Sequence, residues 1–233
     1  MYQSKDSKMG ALRTLSVLFL LVNFVTLHVS ATTFSVQNLA PDTPGGKRYA
    51  AEMGDEWTIQ MLQDVKTFDV NALSLSPEKP VDHITFIVED TDAAASNSNN
   101  EIHVGARFLN GITGDLRFEI KGLMFHEVCH SFQNNRGDYG NDAHFRGVVE
   151  GIATYMELIA GYGIGPKVKG GNWYAGYETT AHFFAWIDQT QISSFVNRLN
   201  QRMGLLDWND NFFVFITSKD VDTLWSLYQA EGF

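Results

Sequence analysis

Residues 115–133 read DLRFEIKGLMFHEVCHSFQ, and the reading of the rest of the chain starts from this stretch. The spacing predicts a helix, with Asp115 as its N-cap. Leu116, Phe118, Ile120, Met124, Phe125, Val128 and Phe132 fall on several sides of that helix. A helix apolar nearly all round is a buried one. Within it, His126 and His130 stand four residues apart, about 40° apart on the helix surface, so both imidazoles can reach one ion. Glu127 lies on the adjoining face, where it can address a metal-bound water. This is the HExxH pattern of zinc hydrolases. The competing interpretation, a pair of satisfied helix histidines beside a surface glutamate, is weakened by the apolar neighbours. Burying two histidines and a glutamate without partners is costly.

A catalytic zinc site needs a third protein ligand and an open position. A metzincin-type histidine is excluded, because Arg136 occupies its position and Gln133 stands where the matching glycine would be. Asp138 or Asp142, in a Gly/Asn/Asp loop over 134–142, would give an aspartate-type site. His144 is an outside candidate. Glu150 is preferred. It opens Glu150-Gly151-Ile152-Ala153 on a second helix, a spacing that lets the chain leave the first helix, cross a loop and return. Gly151 is expected to let those two helices approach closely. The second helix carries an apolar stripe of Phe145, Val148, Val149, Ile152, Ala153, Met156 and Ile159. Glu150 sits about 130° from the centre of that stripe, so it faces either solvent or a cleft.

Outward from this pair, turn chemistry occupies residues 41–46. Glu56 to Phe68 has helical spacing at Trp57, Met61, Leu62 and Val65. Asp82 to Glu89 reads as a strand, Ala93 to Asn100 as a loop, and Ile102 to Leu109 as a second strand with His103 and Arg107 on its polar face. Further helices are expected over about 176–188, 191–203, 207–217 and 221–229, with Trp208, Phe212, Phe213 and Trp225 as core. Strands first and helices after favour an α+β domain.

The chain has 233 residues, ample for a buried core, and a net charge of -10 from 27 acidic against 17 basic residues. No basic run exceeds Lys47-Arg48, which argues against a nucleic-acid partner. A lone cysteine, Cys129, excludes an intramolecular disulfide framework and is expected to be a buried free thiol. Lys5, Lys8 and Arg13 precede an apolar stretch from Leu15 to Val29, short of the roughly 20 residues that span a bilayer. Val29-Ser30-Ala31 then offers small residues for cleavage. Residues 1–31 are therefore expected to be a secretory signal peptide, with 32–233 forming one domain that is exported and has no membrane partner.

The chain resembles the plant basic secretory proteins, secreted zinc peptidases also found in bacteria. The residues that carry the resemblance span nearly the whole mature chain. They include Thr43-Pro44-Gly45-Gly46-Lys47-Arg48-Tyr49, Gly114-Asp115-Leu116, the stretch from His126 to Gln133, Glu150-Gly151-Ile152-Ala153-Thr154-Tyr155, Gly176-Tyr177-Glu178-Thr179-Thr180-Ala181 and Val221-Asp222-Thr223-Leu224-Trp225. The resemblance implies a zincin-like α+β fold with an N-terminal mixed or antiparallel sheet, a buried HExxH helix and a helical C-terminal part. It implies a gluzincin-like site: His126, His130 and Glu150 hold Zn2+, Glu127 is the general base, and the substrate is a peptide or protein. Tyr177 is a candidate oxyanion donor, and the Ile102–Leu109 strand a candidate cleft edge. The family usually has an acid four residues after the ligand glutamate, where this chain has Thr154. That departure raises an alternative, a zinc-binding but weakly active secreted defence or binding protein. The acidic balance also departs from the family's name, which bears on surface partners and not on the reaction.

Overall fold

The computed structural model describes residues 31–74 and 79–231. The expected signal peptide, apart from Ala31, lies outside the described residues. Among those described, no helix is long and apolar enough to cross a membrane.

The fold is α+β. Strand β1 (Thr33–Asn38) is followed by helices α1 (Pro44–Glu52) and α2 (Gly54–Ala72), then by β2 (His83–Glu89), β3 (Ala95–Ser98) and β4 (Glu101–Gly105). The strands form one mixed sheet in the order β1-β2-β4-β3. β1 pairs with β2 and β2 with β4 in parallel, whereas β3 runs antiparallel to β4 at the edge. The expected order of strands before helices is therefore corrected. A parallel β1–β2 pair needs a crossover, and α1 and α2 provide it.

Three local expectations also change. The segment over 41–46 is not turn alone. Thr43 Oγ1 accepts a hydrogen bond from the Gly46 amide, and Pro44 opens α1 at a position where its missing N–H costs nothing. The expected loop over 93–100 contains β3, which turns back into β4 through Asn99 and Asn100 at φ 53° and 66°. Two consecutive residues at positive φ are the mark of a type I′ hairpin, and Asn tolerates that region. The expected strand over 102–109 stops at Gly105, because β2 ends opposite it at Glu89. The chain then coils into α3 (Ala106–Gly111), which packs on α1 so closely that a side chain at Gly45 would overlap the Ala106 carbonyl.

Helix α4 (Leu116–Phe132) begins where the sequence reading placed it. Asp115 accepts hydrogen bonds from the amides of Arg117 and Phe118 at 2.9 and 3.2 Å. The helix is buried on most sides, packed against α2, β3 and α5 (Ala143–Ile159). α5 is covered in turn by α6 (Tyr177–Thr190). Gly151 serves that second contact and not the α4–α5 one expected. A Cβ there would sit 2.3 Å from Thr180 Cγ2 of α6. Helices α7 (Phe195–Leu205), α8 (Asn211–Thr217) and α9 (Val221–Glu231) complete the C-terminal part. Phe183, Phe213, Trp225 and Tyr228 interlock there, with ring centroids 5.2–6.4 Å apart.

Candidate metal centre

α4 and α5 bring three side chains to one point. His126 and His130 project from successive turns of α4, and their Nε2 atoms lie 3.0 Å apart. Glu150 projects from α5, with Oε2 at 3.2 Å from His126 Nε2 and 3.7 Å from His130 Nε2. A tetrahedral ion bound at about 2.0–2.1 Å needs ligand atoms roughly 3.3 Å apart. The three edges bracket that value, so the donor set fits a divalent ion without rearrangement. Among the described residues this is the single group of three or more histidine, cysteine or acidic side chains close enough to hold a metal ion. His126 and Glu150 are 7% and 6% exposed. Two ring nitrogens turned towards each other and towards a buried carboxylate are costly to leave unfilled.

The other candidates are engaged elsewhere. Asp138 is exposed and accepts from Asn141, Asp142 caps α5 by accepting from the Phe145 amide, and His144 pairs with Asp210 at 2.8 Å. Cys129 is fully buried, and burial pushes its thiol pKa up.

Each of the three donors has an outer partner. Thr154 Oγ1 lies 3.0 Å from His126 Nδ1, the Gln133 amide 2.7 Å from His130 Nδ1, and Tyr139 Oη donates to Glu150 Oε1 at 2.5 Å. All three partners are uncharged. Burial would raise the Glu150 pKa, but hydrogen bonds from His126 and His130 and from Tyr139 outweigh it and hold the carboxyl below its usual range. Burial and the negative charge of Glu150 raise Tyr139.

Glu127 lies beside the pair, 5% exposed, and lines a cavity of about 480 Å³ that contains all three donors. Its pKa is raised by burial and by Glu150, against the opposing influence of His126 and His130. Tyr177 also lines the cavity. It is 53% exposed, opens α6 at φ 42°, and its ring lies parallel to that of His126 at 5.8 Å between centroids.

The cleft edge is β3 and not the predicted 102–109 strand. β4 is interior to the sheet. Its His103 faces Glu89 at 3.3 Å, and Arg107, now in α3, pairs with Asp90. Residues 94–97 border the cavity instead, and Asn97 Nδ2 donates to the Glu127 carbonyl and to Ser131 Oγ at 2.7 and 2.8 Å. These bonds fix the edge strand to the histidine-bearing turn. A second hollow of about 420 Å³ continues past His130 and shares Asn97, Tyr139 and Glu150 with the first. Asn97, Tyr139 and Glu157 carry no local sequence signal, since each reaches the cleft through long-range packing. Glu157, pushed up to about 7 by burial and by Glu119, Glu127 and Glu178, lines the same cavity.

A mixed α+β chain thus carries a candidate metal centre in the wall of an open cleft. A family profile described as BSP, peptidase of plants and bacteria, matches residues 29–228, and the chain belongs to that family. No curated protein and no solved structure matches.

Proposed function

We propose that this protein is a secreted, zinc-dependent peptidase of zincin-like architecture. The observation that supports it best is the triangle of His126, His130 and Glu150 with Glu127 beside it in the cleft. A zinc ion held by those three residues would supply Lewis acidity and lower the pKa of a water in the remaining position to about 7. Glu127 takes the proton of the attacking water and delivers it to the leaving amine. Its burial beside the two histidines, on the wall of the cleft, places it where such a group must stand. The exposed phenol of Tyr177, above the His126 ring, is the candidate donor to the developing oxyanion. The open edge of β3 offers backbone groups to an extended peptide lying across both hollows.

The chain would be exported through residues 1–31, and its partners would be peptide or protein substrates. The test is metal content and chelator-sensitive proteolysis of the purified chain. A metal-free, folded and inactive protein defeats the reading.

Thr154 favours a second reading, a weakly active secreted defence or binding protein. With His126 bound through Nε2, the Thr154 hydroxyl 3.0 Å from Nδ1 would accept a hydrogen bond without charge, and the usual acid would hold that ring more firmly. Robust turnover by the unsubstituted chain, with no gain in Thr154→Asp, removes its basis.

A further inference from the structure

His126 and His130 differ in how their second ring nitrogen is held. Thr154 comes to His126 from the neighbouring helix. The partner of His130 comes from its own helix. Gln133 is the C-cap of α4, and at ψ 151° its backbone has left the helical path. The side chain folds back over the last turn, 1% exposed, and places its amide 2.7 Å from His130 Nδ1.

We propose that Gln133 is the positioning residue of His130, fixing Nε2 as the nitrogen that faces the metal. The proposal rests on the metal reading above. A ring that coordinates through Nε2 carries its proton on Nδ1, and a buried N–H needs an acceptor. The acceptor within reach is the Gln133 amide. Its Nε2 end faces Nδ1, while Oε1 lies 3.8 Å from Cys129 Sγ. The two ends of an amide are nearly isosteric, so a half-turn about the last torsion exchanges them without displacing a neighbour. Metal loading therefore selects one amide orientation, with Oε1 on the His130 ring and Nε2 towards the sulfur of Cys129.

The surroundings of Gln133 are built to hold it. Its backbone N–H donates to the Cys129 carbonyl at 2.8 Å, and its carbonyl accepts from Lys79 Nζ at 3.2 Å. The next residue is pinned to α7, with the Asn134 amide on Asn200 Oδ1 at 2.7 Å and Asn134 Nδ2 on the Asn200 carbonyl at 2.9 Å. The backbone at 133 and 134 is thus held from several sides, and it anchors the root of the Gln133 side chain beside the His130 ring.

The test is zinc affinity, measured by competition with a chromophoric chelator, on the unsubstituted chain, Gln133→Leu and Gln133→Glu. Leucine fills similar space but cannot accept a hydrogen bond. It is expected to weaken zinc binding about 10–100-fold with an unchanged far-ultraviolet circular dichroism spectrum. Glutamate offers only acceptors and is expected to restore binding to at least the unsubstituted level. A purely structural role predicts no such rescue. A leucine variant that holds zinc as tightly as the unsubstituted chain overturns the proposal and leaves the metal reading standing. An unsubstituted chain that takes no zinc overturns both. Should the leucine variant fail to fold, nitrogen-15 spectra of the zinc-loaded unsubstituted chain decide. A protected His130 Nδ1 proton supports the proposal, and a deprotonated Nδ1 or one in free exchange with water overturns it.

Discussion

Glu150 Oε2 lies 3.2 Å from His126 Nε2, although the two residues belong to different helices separated by a loop. That distance is set by packing. α5 packs against both α4 and α6, and Gly151 removes the side chain that would push α6 away. The proposed ligand set thus depends on the α5–α6 contact as well as on the α4–α5 one.

Gly151→Ala tests that dependence. The added methyl would meet Thr180 Cγ2 at 2.3 Å, and overpacking of this kind costs about 1–3 kcal/mol. The expected outcome is a lower melting temperature together with weaker zinc binding. Pairing it with Thr180→Ser, which removes the nearer methyl but leaves Thr180 Cβ 2.7 Å from the added group, is expected to recover part of both.

Glu127→Gln separates binding from chemistry. The amide cannot take the proton from the attacking water, so peptide hydrolysis is expected to fall by about 10²–10⁴-fold. Glu127 is not one of the three clustered donors, and zinc content is expected to remain unchanged. Parallel measurement of bound zinc and turnover checks both halves.

Thr154→Asp places a carboxylate where Thr154 Oγ1 now meets His126 Nδ1 at 3.0 Å. Orienting partners of ligand histidines are typically worth about 10–100-fold. Zinc affinity is expected to rise towards that range in the aspartate variant and to fall in Thr154→Val, as read by chelator competition.

Much of this site is legible in the sequence because α4 carries its own signals. Asp115 marks its start, and His126 and His130 share a face by helical period alone. Glu150 is readable only as a residue off the apolar stripe, and the sequence leaves open whether it meets solvent or a cleft. Its placement comes from packing. Tyr139, Asn97 and Gln133 are invisible as partners because each acts through a contact that forms only when loops and helices dock. The same holds for the sheet. β1 alternates only briefly, Phe34 and Val36 between Thr33, Ser35 and Gln37, and β3 has no period-2 pattern: it reads Ala95-Ser96-Asn97-Ser98, which looks like loop until the Asn99-Asn100 turn pairs it with β4. The Ile102–Leu109 alternation looks like one strand, yet pairing ends at Gly105 because the neighbouring strand ends there.

Asp69 gives a stability prediction independent of the metal. It is fully buried on α2, neither carboxylate oxygen has a hydrogen-bond partner among the described residues, and burial raises its pKa well above the ordinary value. The folded chain therefore holds this proton more tightly than the unfolded chain, whose pKa is about 3.9. The stability contributed by the protonated form is complete below that value and is lost as pH rises towards the folded pKa. Asp69→Asn removes this loss. Thermal melts across the pH range are expected to show little difference between variant and unsubstituted chain below about pH 3.9 and an advantage for the variant that grows as pH rises above it.

The most direct measurement is zinc stoichiometry in the purified chain and in Glu150→Gln, by elemental analysis after exhaustive dialysis. The account predicts one ion per unsubstituted chain, lost together with peptide hydrolysis on chelation, and far weaker retention when the Glu150 carboxylate becomes an amide. A Glu150→Gln chain that keeps its zinc as firmly as the unsubstituted one would contradict it.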